Sequence, residues 1–442
     1  MSRELTSQMP GSPAALHLAV ALDGAGWHPA AWRAAGIEPR ALFTAGYWAG
    51  LVQQAERGLL DFVTFEDGLG LQSDRYNAPD PRADRVRGRL DAVLIAARVA
   101  PVTRHIGLVP TAVVTHTEPF HLSKAIATLD YVSQGRAGVR LQVTARAHEA
   151  AHFGRRTLPV FRYSQRGDPE IARLLAGLMD EAADYAEVLR RLWDSWDDDA
   201  EIRDAATGRF VDRDKLHYID FAGEHFRVKG PSITPRPPQG QPVIAALAHS
   251  AAPYQLVARA ADVGFVTPHD AAEAAAIVAE IRGDQEAAGR AGQTLHVFGD
   301  LVVFLAETAA AARERKARLD ELAGEEYRSD ALVFTGTPQE LAGLLQDWQA
   351  AGLSGFRLRP GVISQDLAAI TAHLVPLLQE RGAFRASYQD GTLRTRLGLP
   401  RPASRYAFTI ATASVRWRAA TRSLSSATAN VSIEPRDRSA RS

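Results

Sequence analysis

Residues 44–65, TAGYWAGLVQQAERGLLDFVTF, hold one full period of the pattern that decides the fold. Over Thr44–Arg57, Tyr47, Leu51 and Ala55 recur at four-residue spacing beside Trp48 and Val52, which is the apolar stripe of an amphipathic helix. Gly58 stops that helix. Asp61–Phe65 (DFVTF) is then a short apolar run, too brief for a helix and bounded like a buried strand. Helix followed by buried strand is half of a βαβ unit.

Working outward, the same alternation fills most of the chain. Strands are predicted at Leu16–Leu22, His105–Val109, Gly138–Val143, Pro242–Leu247, Val263–Val266, Leu295–Leu305 and Gly355–Leu358. Helices are predicted between them, among others at Leu90–Ala100, Phe120–Val132, Ile171–Trp193, Pro253–Ala261, Ala271–Ala287, Ala309–Ala323, Pro338–Ala350 and Asp366–Glu380. Strands that alternate with helices form a parallel sheet. Eight of them close into a barrel, because closure removes the sheet edges. The expectation is an α/β fold, a (β/α)8 TIM barrel over residues 14–402, with an open doubly wound sheet as the alternative. Ser195–Gly240 breaks the rhythm with acidic, aromatic and proline-rich pieces, and reads as an excursion between strands four and five. Residues 403–442 are rich in Ser, Ala, Thr and Arg, with seven arginines against Glu434 and Asp437, and are expected to form a disordered basic tail.

The 442 residues contain 51 Lys+Arg and 51 Asp+Glu, so the formal charge is zero and a nucleic-acid partner is disfavoured. There is no cysteine, which removes disulfides, thiolate nucleophiles and thiolate metal sites. No apolar run approaches the roughly 18 residues of a membrane span, and residues 1–13 lack a signal-peptide core. The simplest reading is a soluble cytoplasmic protein.

A barrel of this kind carries its chemistry at the C-terminal ends of its strands. Those positions hold Asp23 to His28, Glu66 and Asp67, Thr111, Thr115 and His116, Thr144, Arg146 and His148, His249 and Ser250, and Thr267 and His269. Hydroxyls and backbone N–H groups there suit a phosphate or a polar ring edge. Ser250 either binds a phosphate at a helix start or merely caps that helix. Asp67 either contacts a cofactor or caps a turn. His28, His116 and His148 are the candidate acid/base groups facing substrate, each weighed against a structural role. His148–His152 (HEAAH) matches the HExxH zinc pattern. It follows a strand directly, and Gly154, Pro159 and Gly167 interrupt any helix pair that could bring a third ligand, so no metal is expected.

Several blocks carry a resemblance: HPAAWR (His28–Arg33), AERGLLDFVTFEDGL (Ala55–Leu69), TRHIGLVPT (Thr103–Thr111), EPFHLSKAIATLDYVSQGRAG (Glu118–Gly138), LWDSWDDDA (Leu192–Ala200), HYIDFAGEHFRVKGP (His217–Pro231), PRPPQGQPVI (Pro235–Ile244) and LRTRLGLP (Leu393–Pro400). In this order they resemble the luciferase-like flavin-dependent monooxygenases, in the branch of nitrilotriacetate monooxygenase component A and long-chain alkane monooxygenase. The resemblance implies a two-component enzyme. Reduced FMN comes from a separate NAD(P)H-dependent flavin reductase, and O2 oxidises a small organic substrate through a flavin hydroperoxide. It also implies a homo-oligomer, and flavin contacts at Asp67, Thr111, Thr144, His249 and Ser250. The chain departs from the family in places. Val139 and Arg140 replace the Trp-Asn of a GWN motif, Arg146 stands where the family has an asparagine, and Leu175 and Met179 stand where it has a flavin-contacting His and Tyr. His249 replaces the first serine of a GSS turn. These departures leave two alternatives open, a deazaflavin-dependent oxidoreductase and a non-catalytic flavin- or partner-binding relic.

Overall fold

Nine parallel strands make the main sheet of the computed structural model, which describes residues 15–34 and 36–407. They are β1 (His17–Leu22), β2 (Phe62–Phe65), β3 (Gly107–Val113), β4 (Gly138–Gln142), β5 (Val243–Ala248), β6 (Val263–Val266), β7 (His296–Leu305), β8 (Leu332–Gly336) and β9 (Gly355–Pro360). Eight of them close: β1 pairs with β2 and β9, and the ring continues through β3, β4, β5, β6 and β7 back to β9. The fold is therefore a TIM barrel. Strands of a parallel barrel are covered on both faces, so they read as continuous apolar runs, and every residue of the ten-residue β7 is buried.

Two strands differ from the sequence reading. β8 is additional: it pairs with Leu301–Leu305 of β7, on the edge that Phe298 and Gly299 give to β6 lower down. It is only half-buried, so its apolar signal is weak. β3 runs through Pro110 to Val113, so Thr111 lies within the strand and not after it. A proline suggests a strand end, but here it only forgoes one ladder donor.

The helices follow the predicted stripes. Helix α1 (Ala45–Arg57) starts at Thr44, whose hydroxyl accepts from Tyr47 N, and buries Trp48, Leu51, Val52 and Ala55. The predicted helix at Asp366–Glu380 runs from Ile363 to Glu380 with a π turn at Ile370–Leu374. The excursion before β5 forms two small antiparallel hairpins, Glu201–Asp204 with Arg209–Val211 and Phe221–Ala222 with Arg227–Val228. Ile219 and Phe221 pack on Val188 and Leu192 of the long helix Pro169–Trp193. That helix ends at the N-terminal face of the barrel, so the excursion sits opposite the strand ends that carry chemistry.

The base of the barrel is plugged by its own chain. Leu393, Leu397 and Leu399 enter the barrel against Phe62, Val109, Val243, Phe265 and Phe298. His296 Nε2 donates to the Leu397 carbonyl at 2.7 Å. The block LRTRLGLP is thus a structural stopper. Residues 403–407, at the head of the expected tail, stay on the barrel: Arg405 reaches Glu187 at 2.7 Å and Tyr406 stacks on His217 at 4.4 Å. The expectation of disorder beyond them falls on residues 408–442, outside the described residues. Among the described residues no helix is long and apolar enough to cross a membrane.

Candidate active site

In a strand, side chains at i, i+2 and i+4 share one face. Following the inward face upward from Phe62, Phe298 and Gly355 therefore reaches Thr64 and Glu66, Asp300, and Arg357 and Arg359. From Gly138 on β4 it reaches Arg140 and Gln142. These side chains meet above the aromatic base. Arg140 donates to Thr111 Oγ1 (2.9 Å), Glu66 Oε2 (2.5 Å) and Gln142 Oε1 (3.0 Å). Glu66 also holds Arg357 at 3.3 Å. Asp300 takes Arg357 and Arg359 together, each at 2.5 Å, and Arg359 reaches on to Asp330 at 2.9 Å. Asp330 lies 4.0 Å from His249 Nδ1. One ionic chain thus crosses the barrel from Thr111 to His249.

Burial works against each charge in this chain, and the partners decide the outcome. Burial pushes the Glu66 carboxyl up, yet Arg140 and Arg357 outweigh it and hold it below its ordinary range. Burial lowers Arg140 to about 10 despite Glu66. Burial also opposes ionised Asp330, but Arg359 keeps it at about 2. Glu66, Asp300 and Asp330 are therefore all ionised at neutral pH.

Beyond the strand ends, two further groups form the mouth. The first surrounds helix Ala251–Ala260. Ser250 precedes it with extended backbone, and its hydroxyl makes no cap bond to the helix. The capping alternative is thereby removed. The N–H groups of Ala251 and Ala252 open the helix ahead of Pro253, at its positive dipole end. They face a cleft of about 630 Å³ that also contains Arg166, His249, Leu175 and Met179. Arg166 sits over the Tyr163 ring at 4.8 Å. The apolar Leu175 and Met179 line this same cleft, so a cationic side chain from a neighbouring turn is present where the expected His and Tyr are missing.

The second group lies at the ends of β3 and β4. His116 is buried and stacks on Phe153 at 5.3 Å, and its Nε2 has no partner. Burial, and then Arg156, lower its pKa. His148 Nδ1 and Glu149 Oε2 are likewise buried without partners. His148 and Glu149 converge over Gly70, where an added Cβ would lie 2.7 Å from His148 Nε2 and would displace the imidazole. Three unpartnered buried polar atoms are costly unless something binds them. Among the described residues no group of three or more His, Asp or Glu could hold an ion. The HExxH segment forms only a one-turn helix, Ala147–Ala151.

The remaining expected residues are occupied. Asp67 accepts from Gly68 N (2.7 Å) and Ala92 N (3.0 Å), so its carboxylate fastens the start of a helix. The Thr144 hydroxyl accepts from Arg146 N at 3.3 Å. His28 is apart from the rest. Its Nε2 meets Asp320 at 3.0 Å and its Nδ1 accepts from Ala30 N at 3.1 Å, leaving no nitrogen for a substrate. The sequence reading missed Arg140, Asp300, Arg357 and Arg359. The signal was available as charged letters inside GVRLQV, HVFGDLVVFL and GFRLRP, since a charge in a buried strand requires a partner.

The chain is similar to proteins of one kind. Residues 25–330 match the luciferase-like monooxygenase family. Nitrilotriacetate monooxygenase component A of Aminobacter aminovorans is 29% identical over 89% of this chain and 98% of its own length. The N-acetyl-S-(2-succino)cysteine monooxygenase of Bacillus subtilis (strain 168) is 28% identical with the same coverage. A crystal structure of long-chain alkane monooxygenase superposes with a TM-score of 0.77 at 23% identity, covering 87% of this chain and 95% of that one. A riboflavin lyase solved with a modified FMN and riboflavin gives 0.76 at 25% identity, covering 89% and 98%. With the barrel closed and its mouth polar, the chain belongs to the luciferase-like monooxygenase family and is an oxidoreductase of the flavin-dependent monooxygenase class.

Proposed function

We propose that this enzyme is the oxygenating component of a two-component system that takes reduced FMN from an NAD(P)H-dependent flavin reductase and oxidises a small organic molecule with O2. The observation that carries the reading is the Ser250 hydroxyl, free of the helix it precedes, at an N-terminus that faces a cleft containing Arg166. Those groups fit a phosphate monoester: hydroxyl and backbone N–H donors, a positive dipole end and one guanidinium. The relatives' names and the riboflavin lyase complex support a flavin as the bearer of that phosphate. A flavin reduced at the expense of NAD(P)H assigns the work to the cytoplasm.

Reduced FMN, when bound, supplies the two electrons with which one oxygen atom enters substrate and the other leaves as water. The protein's part is positional. Ser250, the helix N-terminus and Arg166 would hold the phosphate. Arg140, tied to Thr111 and Glu66, presents fixed positive charge under the mouth. His116, neutral at pH 7, and His148 offer unpartnered nitrogens to the polar end of a substrate. The aromatic and apolar base keeps water from entering behind them.

The test is an anaerobic titration with reduced FMN and, separately, a reduced deazaflavin. Ser250→Asp is expected to raise the Kd for reduced FMN at least about tenfold, because a carboxylate repels the phosphate. Unchanged affinity in that variant would sink the phosphate assignment. Binding of the deazaflavin in place of FMN would move the reaction to hydride transfer.

A further inference from the structure

Two guanidiniums at the N-terminal end of the barrel share a single carboxylate, and a third beside them has none. Arg190 reaches Asp262 at 3.1 Å and Arg394 reaches it at 3.3 Å. Arg290 has no carboxylate: its donors go to Gln293 Oε1 and to the carbonyls of Ala258 and Ala261. Burial and the nearby Arg190 and Arg394 all lower the Arg290 pKa, with only Asp262 opposing them. These residues line a cleft of about 540 Å³ together with Arg259, which pairs with Asp180, and Arg405, which Glu187 and Asp194 of the same wall hold, so Arg290 is the guanidinium left without a carboxylate. Excess positive charge in a partly buried wall is unfavourable unless an anion joins it.

A second observation comes from Gln241, which lines the same cleft and is 3% exposed. Its Nε2 donates to the Arg190 carbonyl at 3.0 Å, which fixes the amide orientation, and its Oε1 has no partner. The wall of the cleft therefore holds a guanidinium without a carboxylate and, buried beside it, one unsatisfied acceptor. An oxyanion that also carries a proton answers both needs.

We propose that this cleft is a second anion site, on the opposite face from the flavin mouth, and that it takes a phosphate group in its singly protonated form. Phosphate oxygens bridge Arg190, Arg290 and Arg394, and the P–OH donates to Gln241 Oε1. Sulfate matches the charge and shape but has no proton to donate at neutral pH. The site is independent of the flavin reading, since none of its residues lines the mouth.

Calorimetric titration of the full chain, saturated with FMN, with inorganic phosphate, glycerol phosphate and sulfate at pH 7.5 and constant ionic strength tests this. Phosphate is expected to bind at least about tenfold more tightly than sulfate, and Arg290→Gln to weaken it about tenfold. Arg259→Gln, at the exposed lip, is expected to weaken it about threefold, and it keeps the test valid should Arg290→Gln fold poorly. Ser250→Asp is expected to leave it unchanged, so failure of the flavin assignment and failure of this one are separable. Tighter binding of glycerol phosphate assigns the site to an organic phosphate, and equal binding assigns it to the free ion. Equal affinity for sulfate, no saturation by about 10 mM phosphate, or loss of binding only in Ser250→Asp would overturn the proposal.

Discussion

The lower and upper halves of the barrel interior are built from the same strands and are chemically opposite. Below, Phe62, Phe265 and Phe298 stand 5.8–6.2 Å apart and meet the leucines of the C-terminal plug. Two residues further along, Thr64 follows Phe62, Asp300 follows Phe298 and Arg357 follows Gly355 of β9, and Arg357 lies 4.2 Å above the Phe265 ring, where the layers touch. Burying an aromatic or aliphatic side chain contributes about 1.5–3 kcal/mol, whereas a buried ion-pair network is close to neutral against an apolar replacement. Stability thus accounts for the lower half alone. The upper half places fixed charge beneath the mouth, and its cost is met by the layer below it.

That division can be broken by experiment. The largest effects are expected from Phe298→Ala and Asp300→Asn, each losing about 3–5 kcal/mol in urea denaturation, the first by cavity formation and the second by stranding Arg357 and Arg359. They should part in a second readout: reduced-FMN affinity is expected to hold in Phe298→Ala and to fall in Asp300→Asn. Equal affinities would mean that the charged layer does not serve the mouth.

Next comes the pH response of the base. Burial, followed by His17, lowers His296 to about 4. Its unfolded value is 6.5, so the folded state resists protonation. Stability is complete above pH 6.5 and falls as pH drops from 6.5 to 4, by an amount on the order of 3 kcal/mol. In His296→Leu that slope should flatten, at the expense of the bond to Leu397 and some stability at pH 7. A slope unchanged in the variant would assign the acid sensitivity to other groups. Smallest is Arg166→Gln: about a threefold loss of FMN affinity with stability within about 0.5 kcal/mol, because the side chain is at the surface of the mouth. A loss near that of Ser250→Asp would make Arg166 the principal phosphate ligand.

The barrel was legible because its strands are covered on both faces and its helices on one. PVIAAL has no polar residue to dilute the signal and LHLAVAL has only His17, and Gly58 and Gly135 punctuate the helices before β2 and β4. β8 escaped notice because ALVFTG is short and half-exposed, and lies between two strong helices. The site was legible by position but not by state. Ser250 and His116 stand where strand ends should put them, with free polar atoms. His28 and Asp67 stand there too, yet Asp320 and three backbone amides have claimed them. Spacing along a chain cannot report a partner such as Asp320, which is 292 residues away. The arginines of the upper layer were hidden differently: a single charged letter within an apolar strand resembles an interruption until its partner on another strand is known.

The change of neighbour along β7 has a mechanical consequence. Its lower part is laced to β6 and its upper part to β8, so the hydrogen-bond ladder divides between Gly299 and Leu301. The rim therefore carries β8 as an extra strand, paired to β7 alone. Insertions or substitutions in residues 324–336 load the upper ladder without pulling on the lower one. The aperture can be retailored for differently shaped molecules while the corked end keeps its dimensions.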